Sequence, residues 1–273
     1  LNNNSATAAG ITLSTTSVNN TGTITNSGSG AGDTLISAVI GTSVTKVTQN
    51  SSTSPLTLSA TNTFTGGLDL TSGTLVATLA GSFGPAGNTL YFKGGNLELR
   101  SAATTFTGKL DTTNAGGTIY INPASSGNGV THTISGATTL GSNTIVISAG
   151  TLTTNNTAYG LTLSGAATLS GNPTFTINGN GSATGTLTIS GGFDTGGATR
   201  TLTFNSGTGT SAASISGAFA GSAGILDLAG TTPTVTVGAL TTTANAVRVS
   251  GTGTYTFSGA STFTGGVILN NAS

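Results

Sequence analysis

The sequence predicts an all-β protein: a right-handed parallel β-helix wound as one continuous solenoid over residues 1–273. Three observations point there. Short runs place an apolar residue at every second position, glycine and asparagine break the chain every few residues, and several blocks recur at a near-constant interval.

The alternation is plain at Leu56-Thr57-Leu58, Leu68-Asp69-Leu70, Leu97-Glu98-Leu99, Ile119-Tyr120-Ile121, Leu161-Thr162-Leu163 and Val235-Thr236-Val237. A period of two gives each strand one buried and one wet face. The glycine, asparagine and serine breaks come too often for a helix to fit between them, and no stretch carries a 3.6-residue apolar period.

The recurrences choose among all-β architectures. Gly73-Thr74-Leu75, Gly95-Asn96-Leu97 and Gly117-Thr118-Ile119 recur at one constant interval, and the segment 63–69 returns at 105–111, close to two such intervals on. Residues 56–73 return once more at 255–272. A unit of this length holds three short strands and three turns, one coil of a solenoid, so roughly 12 coils of about 20–22 residues with variable loops are expected. Stacked coils bury columns of Leu, Ile, Val and Phe that no single coil could bury. Outward positions need only be polar and compatible with a strand, which suits β-branched Thr. Glycine and asparagine serve the corners.

The pattern Leu56-x-Leu58-Ser59-x-x-Asn62-Thr63-Phe64-Thr65-Gly66-Gly67-x-x-Leu70-x-x-Gly73-x-Leu75 resembles the autotransporter-associated β-strand repeat of secreted bacterial surface proteins. Its motif positions are Phe64, Gly66, Gly67, Leu70 and Gly73. They are echoed in part by Phe106 and Gly108, and again by Phe263, Gly265, Gly266 and Leu269. The resemblance implies a right-handed β-helix, an extracellular or cell-surface location, and a structural or adhesive role. It carries no catalytic residues.

Composition narrows the chemistry. Charged residues are 4% of the chain, six basic against six acidic, and there is no Cys, Met or Trp. So neutral a chain is not expected to bind nucleic acid by neutralising phosphates. Without cysteine there is neither a disulfide framework nor a thiolate metal site. No apolar run approaches the roughly 20 residues of a spanning helix, so membrane insertion is not expected. The single histidine, His132, has no second His or Cys to act with and reads as a structural or surface residue. Asp69 and Asp111 hold equivalent repeat positions two coils apart. Each stands between apolar neighbours, which predicts outward, solvated carboxylates ion-paired with Lys93, Arg100 or Lys109. No enzymatic activity and no cofactor are expected.

The chain ends suggest assembly. Aligning the copy at 56–73 with that at 255–272 sets Leu70 on Leu269 and Thr74 on Ser273, so Leu75 would match Leu1 of a following copy. Leu1, Asn271, Ala272 and Ser273 are therefore the expected end-to-end junction, and the chain reads as one unit or fragment of a longer array. No amphipathic capping helix is visible at either end, and no charge precedes Asp33 or follows Arg248. Soluble solenoids cover such ends. The expected role is a structural extracellular protein that self-assembles head to tail, as a filament or surface-layer element. The alternative is an adhesin segment that binds surface glycans. A third reading, ice binding, requires Thr-x-Thr pairs to share one face on successive coils of equal length. Unequal spacings, and pairs that flank aromatic or charged residues, argue against it.

Overall fold

A computed structural model describes all residues except 8–9, 221–223, 232–233, 243–245, 264 and 271–273. The described residues form parallel strands and no helix. Two sheets, of twelve and eleven strands, run the length of the solenoid, a third of seven strands extends from Thr105–Phe106 to Thr254–Phe257, and a two-stranded sheet joins Ser17–Val18 to Val39–Ile40. The chain visits them in a fixed order. Asn96–Arg100 lies in the twelve-stranded sheet, Thr105–Phe106 in the seven-stranded one and Lys109–Asp111 in the eleven-stranded one, before Gly117–Asn122 returns to the first.

Twelve strands in the first sheet mean eleven turns, a rise of about 53 Å at about 4.8 Å per coil. The recurrent blocks are true neighbours: Leu97 pairs with Leu75 on one side and with Ile119 on the other. Coil length is less even than expected. The coil from Leu56 to its partner Leu75 is short, whereas that from Ile147 to its partner Ile177 is more than half as long again. The extra length of the longer coils lies in loops such as 123–130 and 150–158, which lead to the third-side strands Thr131–Ile134 and Tyr159–Leu163. In the shorter coils of 59–67 and 78–88 that side is built from turns, and buried Phe64 and Phe83 fill the space behind them.

Alternation fixes which side chains enter the shaft. Leu56, Leu75, Leu97, Ile119, Ile147 and Ile177 form one buried column; Ile134, Leu163, Ile189, Ile215 and Val237 form another. Phe175 and Phe204 stack on successive coils with ring centroids 6.1 Å apart. At about 25 cal/mol per Å² of apolar surface buried, such columns supply most of the cohesion between coils.

The shaft is not wholly apolar. Asn26 and Gln49, successive members of one inward column, join through Asn26 Nδ2 to Gln49 Oε1 at 2.8 Å. Asn26 Nδ2 also donates to the Ser54 carbonyl at 2.8 Å, and Thr34 Oγ1 donates to Asn26 Oδ1 at 3.1 Å. All four residues are buried. Buried polar groups persist when each finds a partner, and this cluster supplies them.

Candidate functional site

The motif residues at 62–73 form a corner. Asn62 is buried there, with Oδ1 accepting the Ile40 N–H at 2.9 Å and Nδ2 donating to the Ser82 carbonyl at 2.9 Å, so it ties three successive coils together. Gly66 passes so close to the coil below that a Cβ would lie 1.4 Å from the Thr45 carbonyl oxygen. Gly73 adopts φ of +67°, the left-handed region open to glycine. These positions serve packing of coil on coil. Phe106 and Gly108 repeat the arrangement in step: Leu110 and Leu68 both pair with Leu90.

The third copy of the motif is out of step. Leu56–Leu58 and Leu68–Leu70 lie in the twelve- and eleven-stranded sheets, whereas Thr254–Phe257, Thr262–Phe263 and Val267–Leu269 lie in the seven-, eleven- and twelve-stranded sheets in turn. Phe263 pairs with Thr242 and so continues the column of Leu68, not the position of Phe64. Gly265, Gly266 and Leu269 follow it round the corner into the first sheet. The match of Leu1 to Leu75 is corrected accordingly. The Leu1 ammonium donates to the Thr25 carbonyl and its carbonyl accepts the Ser27 N–H at 3.0 Å, which sets it beside Asn26 at the head of the eleven-stranded sheet. Asn271, Ala272 and Ser273 lie outside the described residues.

The two carboxylates stand where the repeat puts them, but one is not solvated. Asp69 and Asp111 both pair in register with Tyr91. Asp69 is buried: its Oδ2 receives Lys46 Nζ at 3.2 Å from one side and Lys93 Nζ at 2.8 Å from the other. Lys93 also lies over the Tyr91 ring, 5.9 Å from its centroid. Asp111 turns back on its own strand end, accepting the Thr113 N–H at 2.8 Å and Oγ1–H at 2.7 Å. Arg100 pairs with Glu98 of its own strand, Nε to Oε1 at 2.7 Å, not with either aspartate. Lys109, in register with Thr89, points to solvent.

His132 is a core residue. It is fully buried with its ring edge-on to Phe106, centroids 5.6 Å apart. The Thr104 N–H donates to Nδ1 at 3.3 Å, so Nε2 carries the proton and donates to the Asn122 carbonyl at 2.9 Å. Burial pushes its pKa below the ordinary histidine value, against the raising effect of backbone hydrogen bonds. Asn122 extends this network: Nδ2 donates to Glu98 Oε1 at 2.7 Å, and Oδ1 accepts the Leu152 N–H at 2.9 Å. Nothing in the sequence singles out Asn122, a strand-end amide that shares the outward parity of Glu98 and Tyr120 and is nonetheless buried.

Two surface features stand out beyond these. Thr74, Asn96, Glu98, Tyr120, Asn122 and Thr151 are among the residues lining a shallow hollow of about 290 Å³ on the twelve-stranded side. At the last coil, Val267, Ile268 and Leu269 are exposed, Leu269 to 75%. Beside them Val249, Tyr255, Phe257 and Leu269 rim a hollow of about 340 Å³ at the end of the shaft. Burial, followed by the nearby Asp227 charge, pushes the Tyr255 hydroxyl up to about 12.

No protein-family model, no curated protein and no solved structure matches the chain.

Proposed function

We propose that the chain is a structural rod of the cell exterior that self-assembles end to end with further copies of itself. The observation that carries this reading is the exposed end of the twelve-stranded sheet. Val267 and Leu269 extend the buried columns of Val247 and Val249, yet both are exposed. At the other end Ile11 and Leu13 continue into Thr34 and Ile36, which are buried. The inward parity of Val267–Leu269 therefore matches that of Ile11–Leu13, and an edge strand offers unpaired N–H and C=O groups to a parallel neighbour. With 4% charged residues the ends carry little repulsion against such contact. The exterior location rests on the resemblance of residues 56–75 to the autotransporter-associated repeat.

Sedimentation and negative-stain imaging of the purified chain, with and without Leu269→Lys, test the proposal. Rods that lengthen with concentration and shorten in the variant support it. A particle that stays at 26.1 kDa at every concentration, unchanged by the variant, overturns it.

The adhesin reading has one specific observation in its favour. Tyr120 lines its hollow beside Asn96 and Glu98, an aromatic with amide and carboxylate partners of the kind that bind sugars. Binding on a glycan array that disappears in Tyr120→Ala would move the assignment there.

A further inference from the structure

The seven-stranded sheet sorts its outward side chains differently from the other two. Thr105, Thr133, Thr162, Thr188, Ser214, Thr236 and Thr256 stand in register on seven successive coils. A second rank, two residues earlier, runs Thr131, Gly160, Thr186, Ala212, Thr234 and Thr254. A third flanks the strand ends with Ser135, Ser164, Ser190 and Ser216, is broken at Gly238, and resumes at Ser258. All of these positions except Gly160 are half-buried or exposed, as expected of ranked side chains on an open sheet.

None of the six basic and six acidic residues falls in this sheet's strands, and its aromatics occupy the inward columns. The other faces are interrupted at the same outward parity, by Glu98, Tyr120, Asp227 and Arg248 in one and by Asp69, Tyr91, Asp111 and Asp194 in the other. The unequal coil lengths do not disturb the ranks, because the extra residues are taken up in loops before and after the strands.

We infer that this face binds the ordered lattice of ice. Tetrahedral water with O···O contacts of about 2.75 Å sets second neighbours about 4.5 Å apart. The hydroxyl ranks repeat at about 4.8 Å along the solenoid. A β-branched Thr has restricted χ1 freedom, so little side-chain entropy is left to lose on contact. Where Gly160 leaves a gap, Thr186 Oγ1 donates to the Tyr159 carbonyl at 3.1 Å and retains its acceptor capacity for water. Alternating hydroxyls and methyls, without charge, suit a neutral lattice of water. A sugar chain would call for outward aromatics, and a charged partner for ions.

The proposal is tested on the full chain by measuring thermal hysteresis and adsorption to a growing ice surface. Thr188→Lys with Thr236→Lys breaks the central rank; Thr176→Lys makes the same change on the outward side of the twelve-stranded sheet. Hysteresis that rises with concentration, falls at least tenfold in the double variant and survives in the control supports the inference. If lysine at these positions prevents folding, Thr162→Tyr repeats the test without adding charge and is expected to give the same loss. A folded chain that neither adsorbs to ice nor shows hysteresis overturns it, as does equal loss in the control. Self-association through this face, abolished by the double variant without any effect on ice, would assign the ranks to a second copy and overturn it too. Fibre formation lost in Leu269→Lys is a separate readout, so failure of the end-to-end proposal and failure of this one are distinguishable.

Discussion

Asp69 and Asp111 occupy the same outward column, each paired in register with Tyr91, yet one is buried between two lysines and the other caps its own turn. The difference comes from the neighbouring coils. Lys46 and Lys93 reach Asp69 from the coils on either side, and both lysine side chains stay partly exposed.

Replacing Asp69 with Asn should therefore destabilise the chain by about 1–2 kcal/mol. The lysines are more than a third exposed, which keeps the loss well below that of a fully buried pair. Asp111→Asn should stay within about 0.5 kcal/mol, because an amide oxygen can still accept from Thr113. Denaturant unfolding at low and high salt measures both. The Asp69 effect should shrink toward 1 M salt, where the Debye length is about 3 Å.

His132 predicts an acid-side loss of stability. Its folded pKa lies below the unfolded value of about 6.5, so the unfolded chain binds the proton more readily. The contribution of the neutral ring is complete above that pH and is lost as pH falls from about 6.5 toward the folded value, with a slope of at most about 1.4 kcal/mol per pH unit. No other histidine titrates in this range. Amide exchange of Thr131–Ile134 measured between pH 7.5 and 5 should show the drop, and His132→Gln should flatten it.

The solenoid was legible because its signal is local and repeated. Leu75, Leu97 and Ile119, evenly spaced along the sequence, are stacked neighbours in space. What escaped depends on sums of loop lengths. The copy at 255–272 preserves strand and turn chemistry, yet the longer coils before it, such as that from Ile147 to Ile177, shift its phase, so Tyr255 faces a different side from Leu56. Which Thr-x-Thr pairs share a face depends on the same sums: Thr186 and Thr188 share one with Thr254 and Thr256, whereas Thr201 and Thr203 lie in the twelve-stranded sheet. Asn26 and Gln49 escaped differently. Strand parity turns both inward with Ile24 and Val47, and the inward position is tenable because each bonds the other and the Ser54 carbonyl.

Leu97→Ala should cost about 2–5 kcal/mol, because the side chain is fully buried between Leu75 and Ile119 and the coils above and below cannot close the gap. The same truncation at Leu269, exposed to 75%, should change the stability of the single chain by less than about 0.5 kcal/mol. Since each coil contacts only its neighbours, amide exchange in Leu97→Ala should accelerate most within the adjoining coils. A uniform increase along the whole rod would contradict this account.

Gly66 and Gly87 separate close approach from mere flexibility. A Cβ at Gly66 would meet the Thr45 carbonyl oxygen at 1.4 Å, and that atom is backbone, so two coils must part to admit a methyl group. At Gly87 nothing stands within 4 Å of the added atom, and the backbone is not left-handed. Gly66→Ala should destabilise the chain by about 1–3 kcal/mol through this overpacking. Gly87→Ala should fall within about 0.5 kcal/mol of the parent, or gain slightly from the stiffer unfolded chain. Paired urea titrations decide the matter. Equal effects at the two positions would mean that backbone entropy, not the contact between coils, sets the requirement for glycine at this corner.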